Sequence, residues 1–198
     1  MRFIHSFWPA RIGFALILFI EILGITDVLG ITPDFTWKGM IIQAVAIWGA
    51  LEIVQLMINK MGLNMTLGPA ALIIMVQLAI DATGDMGHLY SRFEWYDQLL
   101  HLTGGFVAAI ITTGLVRSLF ERHGHSKHAR FELLIYGFAL SVVGQVIYEL
   151  AEYLEDILTG SNRLGDGFDT VNDLTLGMFG ALLAALIVTK LPKITRKR

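Results

Sequence analysis

Long apolar stretches separated by short polar segments dominate this chain. Six of them approach the roughly 20 apolar residues that a helix needs to cross a bilayer. They cover residues 12–31, 39–59, 67–83, 99–119, 131–158 and 171–191. Pro33, Pro69, Gly160 and Pro192 lie in or beside the connections, where helix breaks are needed. The pattern predicts an all-α polytopic membrane protein: one domain over residues 1–198, with about six transmembrane helices in a compact bundle.

The composition agrees with a membrane location. Of the 198 residues, 55% are hydrophobic and only 16% are charged, whereas a soluble domain carries roughly 25% charged residues. The net charge of −2 gives no basic excess for nucleic acid. The lack of cysteine excludes disulfides, thiolate metal sites and cysteine nucleophiles. Because the first stretch lacks a small-x-small cleavage site and is longer than a signal core, we expect it to be a membrane span.

The distribution of Lys and Arg predicts the orientation. If both termini are cytoplasmic, only Lys38, Arg92 and Arg163 lie outside, and 12 of the 15 basic residues lie inside. The positive-inside rule predicts such a bias for six spans. The basic segment after Leu191 then acts as an orientation signal.

Acidic and histidine side chains gather at the predicted outer ends of four spans. They are Asp81, Asp85, His88, Asp97, His101, Glu149, Glu152, Asp156, Asp166, Asp169 and Asp173. Within each run most members are three or four residues apart and therefore share a helix face. Ionisable groups at membrane depth are costly and usually face a cavity, a partner or an ion. With three basic residues on this side, the carboxylates cannot all be paired, and converging carboxylates need protons or a metal.

The preferred candidates are predicted to form a divalent metal site. The candidate ligands are Asp97, His101, Glu149, Glu152, Asp169 and Asp173. Carboxylates together with histidine suit Zn, Mn or Fe, and carboxylates alone favour Ca or Mg. Glu149 and Glu152 are also the candidate catalytic residues, one of them as a general base.

Structural roles are open for several of these acids. Asp166, Asp169, Asp173 or Asp97 could cap a helix N-terminus. Asp81, Asp85 and His88 could form a solvated loop, and Glu149 and Glu152 could have a purely structural role. Glu155 does not share the helix face of Glu149 and Glu152 and is expected to be solvated.

Three further features carry polar groups outside this set. Glu21 in span 1, and Glu52 with Gln55 in span 2, could be proton-relay elements or interhelical hydrogen-bond partners. His123, His125 and His128 could bind a metal, but a solvated basic loop at the membrane surface is the simpler interpretation.

Two segments resemble a known family. Residues 96–106, YDQLLHLTGGF, resemble the D-x-x-x-H signature of VanZ-like membrane proteins. Residues 148–152, YELAE, and 165–173, GDGFDTVND, resemble the second half of that family, most closely its YjdF-type inner-membrane branch. The resemblance spans roughly residues 81–188 and implies a helical bundle in a bacterial inner (plasma) membrane. It matches Asp97, His101, Glu149, Glu152, Asp169 and Asp173, and it implies an association with glycopeptide resistance but no defined reaction.

Three functions follow as hypotheses. The first is a metal-dependent enzyme that acts with water on a lipid or lipid-linked envelope substrate at the outer leaflet. The second is a non-catalytic membrane subunit or scaffold with a structural ion. The third is a proton- or cation-coupled transporter that uses Glu21, Glu52, Glu149 and Glu152. Membrane lipids are the expected partners, and the oligomeric state stays open.

Overall fold

A computed structural model of the protein describes residues 7–124 and 130–190. These residues form six long helices and one short one, joined by loops. The helices are α1 Trp8–Ile25, α2 Trp37–Lys60, α3 Gly68–Met86, α4 Leu89–Arg92, α5 Trp95–Arg122, α6 Arg130–Thr159 and α7 Gly167–Lys190. All except α4 are long and apolar enough to cross a membrane. The predicted all-α class with six membrane-spanning helices is therefore confirmed.

Each long helix overlaps one apolar stretch, but the first differs most from its predicted bounds. The expected span 12–31 corresponds to α1, which begins at Trp8 and ends at Ile25. Asp27 and Gly30 follow with positive φ, a left-handed conformation that does not continue a helix. The apolar side chains of the 26–36 loop thus extend the hydrophobic pattern beyond the helix.

The starts of the helices follow from local chemistry. Pro9 and Pro69 occupy the first turns of α1 and α3, where proline costs no intrahelical hydrogen bond. The Thr36 side chain accepts a hydrogen bond from Gly39 N at 3.0 Å and caps α2. At α7, Asp166 Oδ1 accepts from Phe168 N at 2.8 Å and from Asp169 N at 3.0 Å. Asp166 is therefore the capping residue of α7, and Asp169 and Asp173 lie within the helix.

The helices pack as two neighbouring sets, α1–α2–α3 and α5–α6–α7, which meet where α3 contacts α5 and α2 contacts α6. Within the second set, α5 and α7 approach closely. A side chain at Gly105 would strike the backbone of Gly177, and one at Gly180 would strike the carbonyl of Leu102. Close approach through small residues is typical of membrane helices.

One end of the bundle holds the buried carboxylates of the described residues. We call it the outer end, defined by Asp81, His101, Glu149, Arg163 and Asp173. The name follows the predicted topology, because the orientation in the membrane stays a prediction. The opposite, inner end includes the connections around residue 62 and His123.

Candidate metal centre

His101 lies at the centre of the candidate site, between helices α5, α6 and α7. Its Nδ1 is 3.5 Å from Glu149 Oε1 on α6, and its Nε2 is 3.7 Å from Asp173 Oδ2 on α7. On its own helix, Asp97 Oδ1 is 3.5 Å from the same Nε2. These separations exceed ordinary charge-assisted hydrogen bonds of about 2.7–2.9 Å. The packing of α5 against both α6 and α7 brings the three acids to one imidazole.

Two groups of possible ligands share His101. One is Asp97, His101 and Asp173, and the other is His101, Glu149 and Glu152, with the ligand atoms of each group within 4.8 Å of one another. In a tetrahedral site with metal–ligand bonds of about 2.1 Å, two ligand atoms lie about 3.4 Å apart. The observed spacings of 3.5 and 3.7 Å around His101 Nε2 are close to that value. The geometry is therefore compatible with a metal ion.

Two buried carboxylates of the site each have an oxygen without a hydrogen-bond partner among the described residues. Glu149 is 6% exposed and Asp173 is 3% exposed. Within the described part of the chain, Glu149 Oε2 and Asp173 Oδ1 have no hydrogen-bond partner. A buried carboxylate without a partner is costly. A bound metal ion would supply the missing interaction.

The structure brings together five of the six predicted ligands. Asp169 belongs to neither ligand group; its carboxylate lies against Gly165 and interacts electrostatically with Asp97 and His101. It is one turn outward from Asp173 on α7, so it lies at the edge of the site.

A second charged cluster, built around Arg163, adjoins this site. Arg163 lies in the loop between α6 and α7, and its Nη2 donates to both oxygens of Asp81 at 2.7 and 2.8 Å. Its Nε is 3.4 Å from Glu152 Oε1, and its Nη1 is 3.8 Å from Asp85 Oδ2. Burial lowers the pKa of Arg163, but Asp81 and the other acidic neighbours raise it more, well above its usual value. Arg163 therefore stays charged and balances these carboxylates.

Tyr90 and Asp156 hold this cluster in place. Burial, and next the charge of Asp81, raise the pKa of Tyr90 well above its usual value, so its hydroxyl stays protonated and donates to Asp81. Asp156 accepts hydrogen bonds from Arg163 N at 2.6 Å and Leu164 N at 3.0 Å. Asp156 thus shapes the loop that delivers Arg163, and it belongs to neither candidate ligand group.

The solvated positions considered for Asp81, Asp85 and Glu155 are wrong. Asp81 and Asp85 are buried rather than part of a solvated loop. Glu155, expected to be solvated, is 2% exposed and accepts from Ser161 Oγ at 3.1 Å. Glu21 is also buried, and it interacts electrostatically with Asp81, Arg163 and Asp85. It therefore belongs to the outer end, because α1 ends soon after it.

Arg163 was counted among the three outer basic residues but was not identified as the partner of these carboxylates. One signal in the sequence could have identified it, namely a basic residue in a short loop between two acidic helix ends.

His88 does not join the site. It lies beyond the end of α3 and off the Asp81/Asp85 face, with its Nδ1 2.7 Å from Asp34 Oδ1. Although burial opposes the charged form, the hydrogen bonds of Asp34 with His88 and Ser91 lower the pKa of Asp34.

The remaining polar candidates lie away from the site. Glu52 accepts from Arg11 Nε at 2.6 Å and Nη2 at 2.7 Å, so it links α1 to α2 as an interhelical partner. Gln55 donates to Asn59 at 3.0 Å. His123 ends α5 with Nδ1 2.9 Å from Leu119 O. His125, His128 and the segment after Lys190 lie outside the described residues.

The chain matches one family of membrane proteins over most of its length. A family model described as "Predicted membrane protein (DUF2238)" matches residues 11–193. The chain belongs to the DUF2238 family. No curated protein and no solved structure gave a match. Both charged clusters of this DUF2238 protein lie inside the matched region.

Proposed function

We propose that this DUF2238 protein is a membrane-embedded enzyme that uses a divalent metal ion at the outer end to hydrolyse a lipid or lipid-linked substrate. The observation that carries the proposal is the convergence of Asp97 and Asp173 on His101, with an unpartnered oxygen on Asp173. The VanZ-like resemblance includes these three residues but implies no defined reaction. An envelope substrate and an inner-membrane location are parts of the same proposal.

The electrostatics favour one of the two ligand groups. The Nδ1 side of His101 carries Glu149 and Glu152, and Glu152 is 3.4 Å from the positively charged Arg163. A second cation there would be repelled by the guanidinium. On the Nε2 side, Asp97 and Asp173 are not contacted by Arg163 in any described ion pair. We therefore assign the metal to Asp97, His101 Nε2 and Asp173.

The remaining acids then take supporting roles. With the ion on Nε2, the protonated Nδ1 of His101 points to Glu149, which is the usual carboxylate–histidine–metal arrangement. Glu149 and Glu152 stay the candidate general bases, with Glu152 positioned by Arg163. One nitrogen and two carboxylates suit Zn, Mn or Fe. Such an ion would polarise a phosphoryl or carbonyl oxygen, or lower the pKa of a bound water.

Metal content is the test of this proposal. The protein is purified in detergent without chelators, and metals are measured by mass spectrometry in wild type, Asp97→Asn, Asp173→Asn and Glu149→Gln. We expect one stoichiometric metal in wild type and its loss in both Asp variants. The Glu149→Gln variant should bind about 10–100-fold more weakly, as other second-layer substitutions do.

Asp27→Asn is the matched control, because Asp27 is exposed and its left-handed φ also suits asparagine. It should retain the metal. Wild-type protein without metal, or equal metal in Asp173→Asn and wild type, would contradict the proposal. A metal that is retained but cannot be exchanged or reached by water would favour the scaffold function instead.

The transporter function has less support. Glu52 is held by Arg11 in a two-bond ion pair at the inner end, and Glu21 lies in the Arg163 cluster at the outer end. Glu52 is thus neutralised by a fixed partner rather than placed to carry protons. Uptake into proteoliposomes with and without a proton gradient would test this function directly.

A further inference from the structure

A cavity of about 370 Å³ lies between α2, α3, α5 and α6 and borders the candidate metal centre. Asp97, His101 and Tyr148 line its outer part. Along α5 the lining continues to Thr112, a rise of about 22 Å from Asp97 at 1.5 Å per residue. The cavity therefore begins at the polar layer and extends towards the middle of the bundle.

The wall becomes apolar with depth. Leu51, Val54, Ile74 and Ile111 line the part below the polar layer. The hydroxyl of Thr112 is used within the protein, because it donates to Gly137 O at 2.7 Å. This part of the wall therefore offers dispersion contacts rather than hydrogen bonds.

Polar side chains nearer the outer end are also largely engaged. Gln77 Nε2 donates to Leu100 O at 2.9 Å, and Gln43 Nε2 donates to Tyr148 Oη at 2.5 Å. The unpartnered Oε1 of Gln145 lies against Gly177. A row of water molecules would find few hydrogen-bond partners along this wall, whereas a hydrocarbon chain needs no hydrogen bonds.

We propose that this cavity binds one hydrocarbon chain of a phosphate-bearing membrane amphiphile, with the phosphate beside His101. The inference rests on the proposed function, because it places the substrate's reacting group next to the metal ligands. The lining is polar at the depth of the candidate ligands and apolar below them. A lipid in the outer leaflet has the same sequence of a polar headgroup and then a hydrocarbon chain. A bound cation would also attract the phosphate, which the carboxylates alone would repel.

A photoreactive probe tests the occupant. The probe is a phospholipid with a diazirine in one acyl chain, added to the detergent-solubilised full chain and activated by light. Cross-linked peptides should include cavity residues such as Leu51, Ile74 and Ile111. Unlabelled phospholipid and unlabelled polyprenyl phosphate, added as competitors, distinguish the two sources of such a chain by which of them suppresses labelling.

Gly144 allows the cavity to be filled selectively. It lines the cavity, and a Cβ built there would meet nothing within 4 Å. Gly144→Leu should reduce cavity labelling about tenfold, the effect of excluding two methylene groups from an apolar site. Gly49→Leu is the matched control, because its Cβ would also meet nothing within 4 Å but Gly49 does not line the cavity. It should label as wild type does.

A second variant protects the test against misfolding. Ala50 is next to the control position and does line the cavity, so Ala50→Leu should lose labelling while Gly49→Leu keeps it. Labelling spread over the outer faces of the helices and unchanged by Gly144→Leu and Ala50→Leu would overturn the proposal. Metal content, measured on the same samples, separates the two proposals: cavity labelling without metal refutes the metal-dependent enzyme alone, and metal without cavity labelling refutes the chain-binding cavity alone.

Discussion

The guanidinium of Arg163 lies within 4.0 Å of three carboxylates, those of Asp81, Asp85 and Glu152. The guanidinium also contacts an aromatic ring, because Arg163 Cζ lies 4.8 Å from the centroid of the Phe35 ring. A buried cation of this kind neutralises part of an acidic cluster without any metal. At the outer end, therefore, Asp81, Asp85 and Glu152 have Arg163 as a counter-charge, whereas the described ion pairs of Asp97 and Asp173 are with His101.

Removal of Arg163 should destabilise the protein strongly. Arg163→Gln would leave Asp81 and Asp85 buried without their counter-charge, and breaking a buried pair typically costs about 3–5 kcal/mol. We expect a clear fall in the thermal unfolding midpoint in detergent. Arg92→Gln, at an exposed position, is the control and should change the midpoint little. Equal midpoints for both variants would show that the acids around Arg163 are not charged.

At the scale of helices, the contact of α5 with α7 brings together the residues of the candidate metal centre. Asp97 and His101 belong to α5, and Asp173 belongs to α7, so the ligand spacing depends on how closely these helices approach. Gly105 and Gly177 set that approach, because a side chain at position 105 would strike backbone. Gly105 is about one turn from His101 and Gly177 is about one turn from Asp173, so packing at these glycines affects the distance between the two candidate ligands.

Gly105→Ala should separate α5 from α7. Overpacking of this kind typically costs about 1–3 kcal/mol, and it should weaken metal binding because Asp173 moves away from His101. Gly144→Ala has open space around its new Cβ and is the control. The checks are the unfolding midpoint and the metal content of the two variants. Normal metal content in a destabilised Gly105→Ala protein would show that the ligands do not depend on this contact.

At the scale of the whole molecule, the proposed chemistry depends on which side of the membrane the outer end faces. The basic residues predict the non-cytoplasmic side. The structure shows that the buried carboxylates of the described residues share one end of the bundle, but this arrangement is the same in either orientation. The side must therefore be measured.

Cysteine labelling can measure it, because the chain contains no cysteine of its own. Asp27 lies at the outer end and His123 at the inner end, and both are exposed. An impermeant maleimide applied to intact cells with a permeable outer envelope should label Asp27→Cys and should label His123→Cys only after lysis. The reverse pattern would place the candidate metal centre on the cytoplasmic side and would remove the outer-leaflet substrate from the proposal.

Much of the architecture could be predicted because membrane helices are set by local properties. Length and apolar composition determine which segments can cross a bilayer, and the six predicted stretches each overlap a helix. Their ends were less predictable. At α1 the apolar pattern continues past Ile25, but the left-handed backbone of Asp27 ends the helix.

The candidate site was predictable only in part. Helical spacing placed Asp97 and His101 on one face, and it placed Glu149 and Glu152 on another. Spacing along one helix carries no information about which helices are neighbours. Asp169 and Asp173 share a face of α7 in the sequence, but only Asp173 reaches the ligand group around His101.

The sequence by itself therefore determined the class of the protein, its number of spans and the chemical types at the outer end, because hydropathy and charge are properties of the residues. The tertiary structure alone decided which of the acids are neutralised. Arg163 reaches Asp81 across a separation of 82 positions, and the 3.7 Å between His101 and Asp173 depends on two helices packing through glycine. Electrostatic energy depends on distances in space, and these exist only after the bundle has formed.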